Sequence, residues 1–254
     1  MINMKFVDVH AHLEEGIFDK DRAKILNECV EKGILVVNCS GEPTTNRKAL
    51  ELAKKFDNLK ICLGLYPVQA AEISEKEFWN EMKFIEENAS KIVGVGEVGL
   101  DYYWIKEDEK RYKENQLFKE IIWLANKLKL PLNVHSRAAE TETIALLAKS
   151  SHVPVIMHSF GGDIELAKAG IKEGFYFSIA PIILRSNKHK RLVEAVPINK
   201  LLTETDSPYL GPTQERNDPR NIPLVVEEIA KIKKIDVEEC RKQILENARN
   251  VFRL

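Results

Sequence analysis

The sequence predicts an α/β protein built as a single (β/α)8 barrel, a TIM barrel, with an additional C-terminal helix. Two observations support this fold: eight short apolar runs recur along the chain, and the stretches between them have helical periodicity. A third is the length of 254 residues, which is typical of such barrels. An open, doubly wound sheet is the alternative. No repeat, low-complexity tract or linker divides the chain, so we expect one domain over residues 1–254.

The eight strand candidates are short, bounded by turn residues and often apolar on both faces. This pattern is typical of parallel strands that are covered on both sides. The candidates begin at Lys5, Ile34, Lys60, Ile92, Pro131, Pro154, Phe175 and Leu201.

Helical periodicity is clearest over residues 107–129, where apolar side chains recur at steps of three and four residues. These are Leu117, Ile121, Leu124 and Leu128. Ser74 followed by Glu77 predicts a capping box that opens another helix. Asp236 with Glu239 predicts the start of the last helix, so two helices follow the eighth strand.

Composition excludes several classes of protein. The formal net charge is -1, so no global basic field attracts nucleic acid or membrane. Four cysteines without a CxxC pair argue against a disulfide framework and favour a reducing cytoplasm. No apolar stretch approaches the roughly 18 residues of a membrane span, and no export signal is recognisable. We therefore expect a cytoplasmic protein without membrane contact.

Polar side chains that can bind metal collect at the carboxyl ends of the strand candidates, where barrel enzymes form their active sites. His10 and His12 are two residues apart, so on a strand both imidazoles leave the same face. The complete layer comprises His10, His12, Glu97, His135, His158 and Asp206.

A single histidine at a strand end is more often a hydrogen-bonded structural or surface residue than a ligand. The joint pattern is more informative, because burying four imidazoles and two carboxylates without a cation leaves unpaired groups that each cost about 1 to 3 kcal/mol. Histidine and carboxylate ligands without cysteine suit Zn, Mn or Mg. Six ligands exceed the needs of one catalytic ion, so we expect two divalent metal ions.

Five motifs give the chain a family resemblance. DVHAHL, VGEVGLDYY, NVHSR, MHSFGG and LLTETDSPYL occur in the order and at the distances that are typical of TatD-type deoxyribonucleases, a branch of the amidohydrolase-like barrels. The resemblance covers nearly the whole chain. It implies a first ion held by a histidine pair, a glutamate and an aspartate, and a second held by the same glutamate and two later histidines. The matching residues are His10, His12, Glu97 and Asp206 for one ion and Glu97, His135 and His158 for the other.

The chain departs from the family pattern at two positions. Tyr66 stands where relatives commonly have a histidine, and Ser159 replaces the cysteine usual after His158. The metal-ligand set is untouched, so these changes concern substrate contacts at the mouth of the site.

The expected reaction is hydrolysis of phosphodiester bonds in DNA, in which Asp206 takes a proton from water and Glu97 bridges the ions. Arg137 is a candidate phosphate contact, or alternatively a surface charge. Tyr103, with Tyr102 and Trp104, could stack on an unpaired base or pack against loops. Stacking favours single strands and frayed 3′ ends, and the resemblance implies a 3′–5′ exonuclease.

Two other functions remain open at this point. The same barrel serves amide and ester hydrolases, including enzymes that deacylate aminoacyl-tRNA, and a metal-binding protein without turnover is a third possibility. Outside the ligand layer, we expect His152 and His189 at the surface and Cys39 and Cys62 as small packing residues.

Overall fold

The computed structural model describes residues 4–254. Eight parallel strands form one sheet whose spatial order equals their order in the chain. This order confirms the (β/α)8 prediction, since a doubly wound sheet would place the first strand inside the sheet. The strands are β1 Phe6–Ala11, β2 Ile34–Ser40, β3 Leu59–Leu63, β4 Gly94–Asp101, β5 Leu132–Arg137, β6 Val155–Met157, β7 Tyr176–Ile179 and β8 Leu201–Thr203.

The sheet closes on itself where the first and last strands meet. Thr203 Oγ1 donates to Val7 O over 2.7 Å. Just beyond β8, Asp206 N donates to His10 O over 2.8 Å and His12 N donates to Ser207 O over 2.8 Å. These bonds bring the chain after β8 beside the end of β1, which is where both strands carry predicted ligands.

Ten α-helices occur within the described residues, and the two that follow β8 confirm the sequence prediction. The helix predicted over residues 107–129 is one residue shorter at each end. The helices are α1 Arg22–Lys32, α2 Pro43–Ala53, α3 Pro67–Glu72, α4 Glu75–Glu87, α5 Asp108–Leu128, α6 Glu140–Ser150, α7 Ile164–Lys172, α8 Asn187–Ala195, α9 Ile222–Lys233 and α10 Val237–Phe252.

The predicted helix starts have the expected caps. Ser74 and Glu77 form a reciprocal capping box, with Ser74 N donating to the Glu77 carboxylate over 2.9 Å. The Asp236 carboxylate accepts the N–H of Glu239 over 3.1 Å at the start of α10. The short helix α3 was not predicted; Pro67 at its first position fixes a helical φ where no backbone N–H is required.

The C-terminal helix α10 packs against the amino ends of the strands. Its buried residues Leu245, Val251 and Phe252 belong to an apolar cluster with residues of β1, β2, β3, β6 and β8. Met4 and Val93, which precede their strands, border this cluster. The helix therefore covers the end of the barrel opposite the predicted ligands, and a larger core fills the space between the strands and the outer helices.

All four cysteines are buried free thiols, and Cys39 pairs with Cys62 in register between β2 and β3. Both pack in the interior cluster, as expected. Within residues 4–254 no helix is both long enough and apolar enough to cross a membrane.

Candidate metal centre

All six predicted ligands lie together at the carboxyl end of the barrel. Three groups of three have possible ligand atoms within 4.8 Å of one another. The groups are His10, His12 and Glu97; Glu97, His135 and His158; and His10, His158 and Asp206. The first two groups fall within the two ligand sets that the resemblance implies.

Glu97 lies between the two histidine sets and faces each with a different oxygen. Its Oε2 is 3.6 Å from Nε2 of both His10 and His12. Its Oε1 is 2.9 Å from Nδ1 of His135 and 4.0 Å from Nε2 of His158. A carboxylate in this arrangement can ligate two cations, one through each oxygen.

Asp206 completes the cluster from beyond β8. Its Oδ1 is 3.3 Å from His12 Nε2 and 3.7 Å from Nε2 of both His10 and His158. The residue has φ 54, in the left-handed region that non-glycine residues rarely occupy. Backbone strain of this kind persists where the surroundings impose it and is common at active sites.

Hydrogen bonds outside the cluster fix the orientation of His10. Asn133 Nδ2 donates to the Val9 carbonyl over 2.9 Å, so its Oδ1 is the oxygen that faces His10 Nδ1 at 2.8 Å. Because that oxygen can only accept, His10 carries its proton on Nδ1 and presents a lone pair on Nε2 to the cluster.

Two further histidines are oriented in the same way by carboxylates. His158 Nδ1 bonds to Glu204 over 2.9 Å, and His135 Nε2 bonds to Asp101 over 3.0 Å. Metal-ligating histidines almost always donate their other ring N–H to such a partner. Three of the four imidazoles therefore direct their second ring nitrogen inward, where a bound cation would replace its proton, and the donor set fits divalent cations.

The pKa values show how strongly the groups interact. Burial alone would raise the pKa of Glu97, but hydrogen bonds to His10 and His135 hold it well below its usual range. Burial alone would lower the pKa of His12, yet the hydrogen bond to Asp206 and the charge of Glu97 raise it to about 10. The two carboxylates are thus ionised and available as ligands.

Gly99 allows β4 and β5 to approach closely beside the cluster. Its φ is +142, and a Cβ at this position would lie 2.0 Å from the His135 carbonyl oxygen. Any side chain here would displace the strand that carries His135.

The cluster lies at the base of a cavity of about 1090 Å³ that opens at the mouth of the barrel. Arg137 and Trp104 line it, whereas the predicted contact Tyr103 does not. Instead, Tyr103 is 46% exposed and packs under the Arg137 guanidinium, which lies 4.2 Å from the ring centroid. The same guanidinium lies 5.9 Å from the ring of Trp104, which is 61% exposed.

Both departures from the family pattern border the cavity. The Tyr66 hydroxyl donates to Asp101 over 2.9 Å and lies 3.5 Å from His135 Nε2. Ser159 N donates to Glu204 over 3.0 Å. His189, expected at the surface, is half-buried and lines this cavity, because α8 begins directly beside the mouth. His152 is exposed, as expected.

Two residues that orient the histidines were not found from the sequence. Asn133 precedes His135 by two residues, so strand alternation could have placed it on the same face. Asp101 gave no comparable signal, because its contact with His135 depends on the register between β4 and β5.

Comparison with known proteins decides the family. The family model for TatD related DNase matches residues 7–253. The chain belongs to the TatD family. It is 36% identical to an uncharacterized metal-dependent hydrolase of Methanocaldococcus jannaschii over 254 residues, which covers 100% of this chain and 99% of that protein.

Other members of the TatD family are similar over the full length. The human deoxyribonuclease TATDN3 is 34% identical over 257 residues, covering 97% of this chain and 94% of that protein. The crystal structure of a TatD homologue from Escherichia coli covers 100% of both chains with a TM-score of 0.90 and 24% identity, which shows the shared fold. As a TatD-family member, the chain is a metal-dependent hydrolase.

Proposed function

We propose that this TatD-family hydrolase is a deoxyribonuclease that uses two divalent cations to remove nucleotides from 3′ ends of single-stranded DNA. One observation supports the use of two cations, namely that the two oxygens of Glu97 face different histidine pairs. Oε2 faces His10 and His12, and Oε1 faces His135 and His158. The name of the human relative and the family model support DNA as the substrate, and the resemblance supports the 3′ direction.

Each ligand has a defined task in this proposal. His10, His12, Glu97 and Asp206 hold one cation, and Glu97, His135 and His158 hold the other. When bound, the cation pair lowers the pKa of water and neutralises charge on a phosphate. Asp206 accepts the proton of the attacking water, because its carboxylate borders the cavity and stays ionised.

The substrate contacts lie on one wall of the cavity. Arg137 can bind a phosphate through two N–H groups while its guanidinium remains against Tyr103. Trp104 offers an exposed ring at the same wall, where an unpaired base can stack. A base within a duplex is already stacked, so this contact favours single strands.

The test is an activity assay on metal-stripped protein with Mg, Mn or Zn added back. End-labelled single-stranded and double-stranded DNA are the substrates, beside RNA, an aminoacyl-tRNA and simple amides. We expect single-stranded DNA to be shortened from its 3′ end only when metal is present. Glu97→Ala and Asp206→Asn should each lower the rate by at least a hundredfold.

Exposed carboxylates outside the cavity lining provide the matched controls. Glu31→Ala and Asp108→Asn make the same chemical changes on α1 and at the start of α5, and they should retain full activity. Turnover of only the aminoacyl ester or the amides would overturn the substrate assignment. Full DNA cleavage by Asp206→Asn would remove the proposed base.

A further inference from the structure

Most of the charged residues at the cavity mouth, apart from the predicted ligands, are divided by sign between opposite sides of the barrel. Glu14 and Glu15 follow β1, and Glu42 follows β2; all three line the cavity. Arg137 ends β5, and the Lys188 ammonium donates to the Gly161 carbonyl in the loop after β6. In a closed ring of eight strands, β1 and β2 lie across from β5 and β6. The predicted metal ligands lie between the two sides.

We name Glu14, Glu15 and Glu42 the acidic side. Within residues 4–254, none of these carboxylates has a lysine or arginine nitrogen within 4.0 Å. Neutral groups bind two of them: Asn38 donates to Glu14 over 2.8 Å, and the Tyr209 hydroxyl donates to Glu15 over 3.1 Å. Burial raises the pKa of Glu14, so the negative charge of the acidic side comes from Glu15 and Glu42, which no lysine or arginine balances directly.

Two charged residues do not follow this division. Lys48 lines the cavity near the acidic side, but its ammonium pairs with Asp19 at 3.3 Å. Glu140 lines the opposite wall, beside Gly161. Neither residue removes the contrast between the two sides of the cavity. The guanidinium of Arg137 and the aromatic ring of Trp104 both lie on the wall that carries Glu140, and the acidic side has neither group.

We propose that the acidic side fixes the position of the cut by accepting a terminal nucleoside with a free hydroxyl and repelling any further phosphate. This inference rests on the proposed deoxyribonuclease function. The strand would lie along the Arg137 wall, with the scissile phosphate at the ligand cluster and one uncharged nucleoside beyond it. A chain that continued would place its next phosphate beside Glu15 and Glu42, where like charges repel.

Two consequences for substrate choice follow from this repulsion. A terminal phosphate at the digested end should slow cleavage, and a strand without ends should not be cut. Two unit charges about 6 Å apart in a partly screened site repel enough to reduce a rate about tenfold. Salt screens exposed charges, so the penalty should shrink as ionic strength rises.

The experiment compares single-stranded oligonucleotides of one sequence with the metal-loaded protein. The linear substrates carry a 3′-hydroxyl, a 3′-phosphate, or a 5′-phosphate with a 3′-hydroxyl, and a circular single strand has no end. We expect the 3′-phosphate to lower the initial rate at least tenfold at low salt, the 5′-phosphate to have no effect, and the circle to stay intact.

A double variant tests whether the acidic side causes the preference. Glu15→Gln with Glu42→Gln removes the charges of the half-buried Glu15 and the exposed Glu42, and it keeps an oxygen that can accept from Tyr209. In this variant, the initial rate on the 3′-hydroxyl substrate should exceed the rate on the 3′-phosphate substrate by less than threefold. Glu31→Gln with Glu246→Gln changes the net charge equally at exposed helix positions outside the cavity lining, and it should keep the wild-type ratio.

The outcomes separate this inference from the proposed function. If the wild type digests hydroxyl-ended and phosphate-ended strands equally, cuts the circle as fast as the linear strand, or keeps its end preference in the Glu15 and Glu42 variant, the inference is wrong and the nuclease stands. If the hydroxyl-ended strand is not cut with any metal, the proposed function fails and the inference fails with it.

Discussion

His135 donates from Nε2 to Asp101 Oδ2 over 3.0 Å, while the other oxygen of Asp101 holds the loop that carries the aromatic residues. That Oδ1 accepts the backbone N–H groups of Tyr103 and Trp104, each over 2.9 Å. One carboxylate thus orients a proposed metal ligand and the proposed stacking surface together. A change at Asp101 should affect metal binding and substrate binding at once.

Asp101→Asn should weaken metal binding by about ten- to a hundredfold, the usual effect of losing a residue that orients a ligand. An amide offers only one accepting oxygen, so it cannot serve both His135 and the aromatic loop. Isothermal titration with Zn or Mn measures the dissociation constant. Asp108→Asn, at an exposed position on α5, should bind like the wild type, and an unchanged affinity in Asp101→Asn would contradict this role.

Metal should stabilise the folded protein, because the ligand cluster exists only after the strands have assembled. At a free concentration a hundred times the dissociation constant, binding adds about 2.7 kcal/mol to the free energy of unfolding. For a chain of this size that is about 5 to 10 °C in Tm. Thermal unfolding with EDTA and with added Mn or Zn measures the difference. Glu97→Ala should lose most of the shift, and a full shift in that variant would argue for binding elsewhere.

Glu114 should make stability depend on pH. Burial raises its pKa from 4.5 to about 7, although its Oε1 accepts the Asp101 N–H over 2.7 Å. The folded carboxyl keeps its proton at a pH where the unfolded one has lost it. Its stabilising contribution is therefore full below about pH 4.5 and is lost as pH rises through 7.

The matched substitution is Glu114→Gln, which cannot ionise and keeps a carbonyl for the Asp101 N–H. Relative to wild type, this variant should gain about 2.5 kcal/mol in the free energy of unfolding between pH 5 and pH 8.5. Urea unfolding in EDTA at both pH values measures the gain. Glu120→Gln, exposed on the same helix, should show none; a pH-independent difference for Glu114→Gln would refute the assignment.

Trp104→Ala should weaken binding of single-stranded DNA, since stacking of a base on an aromatic ring contributes about 1 to 3 kcal/mol. We expect KM to rise roughly 5- to 100-fold, with a smaller effect on duplex DNA. Steady-state kinetics on both substrates measure the change. Trp123→Ala removes an exposed tryptophan from α5, outside the cavity lining, and should leave KM unaltered.

The convergence of the six predicted ligands could be foreseen because it depends on local patterns. His10 and His12 share the end of one strand candidate, and Glu97 and His135 lie within two others. Their positions in those strands place all four side chains at the same end of the barrel. The hydrogen-bond partners depend on register between neighbouring strands, which apolar periodicity does not encode. Asp101 was missed for this reason. The pairing of β1 with β2 shifts between Asp8 and Ala11, an irregularity that no pattern in the sequence indicated.

Tyr103 and His189 show a second limit, which concerns loops. Both lie beyond strand ends, where side-chain direction depends on loop conformation and long-range packing. Sequence reasoning put Tyr103 at the rim, but the ring supports Arg137 while the neighbouring Trp104 reaches the cavity. His189 lies in the first turn of α8, and only the position of that helix beside the mouth brings it to the site.

The contact between Asp206 and His10 joins the last strand to the first. During synthesis, a ribosome must therefore release nearly the entire polypeptide before this centre can assemble. A truncated or half-made chain lacks the aspartate, and it has no closed ring in which to align the imidazoles. The proposed metal centre can therefore form only after the segment beyond β8 has been synthesised.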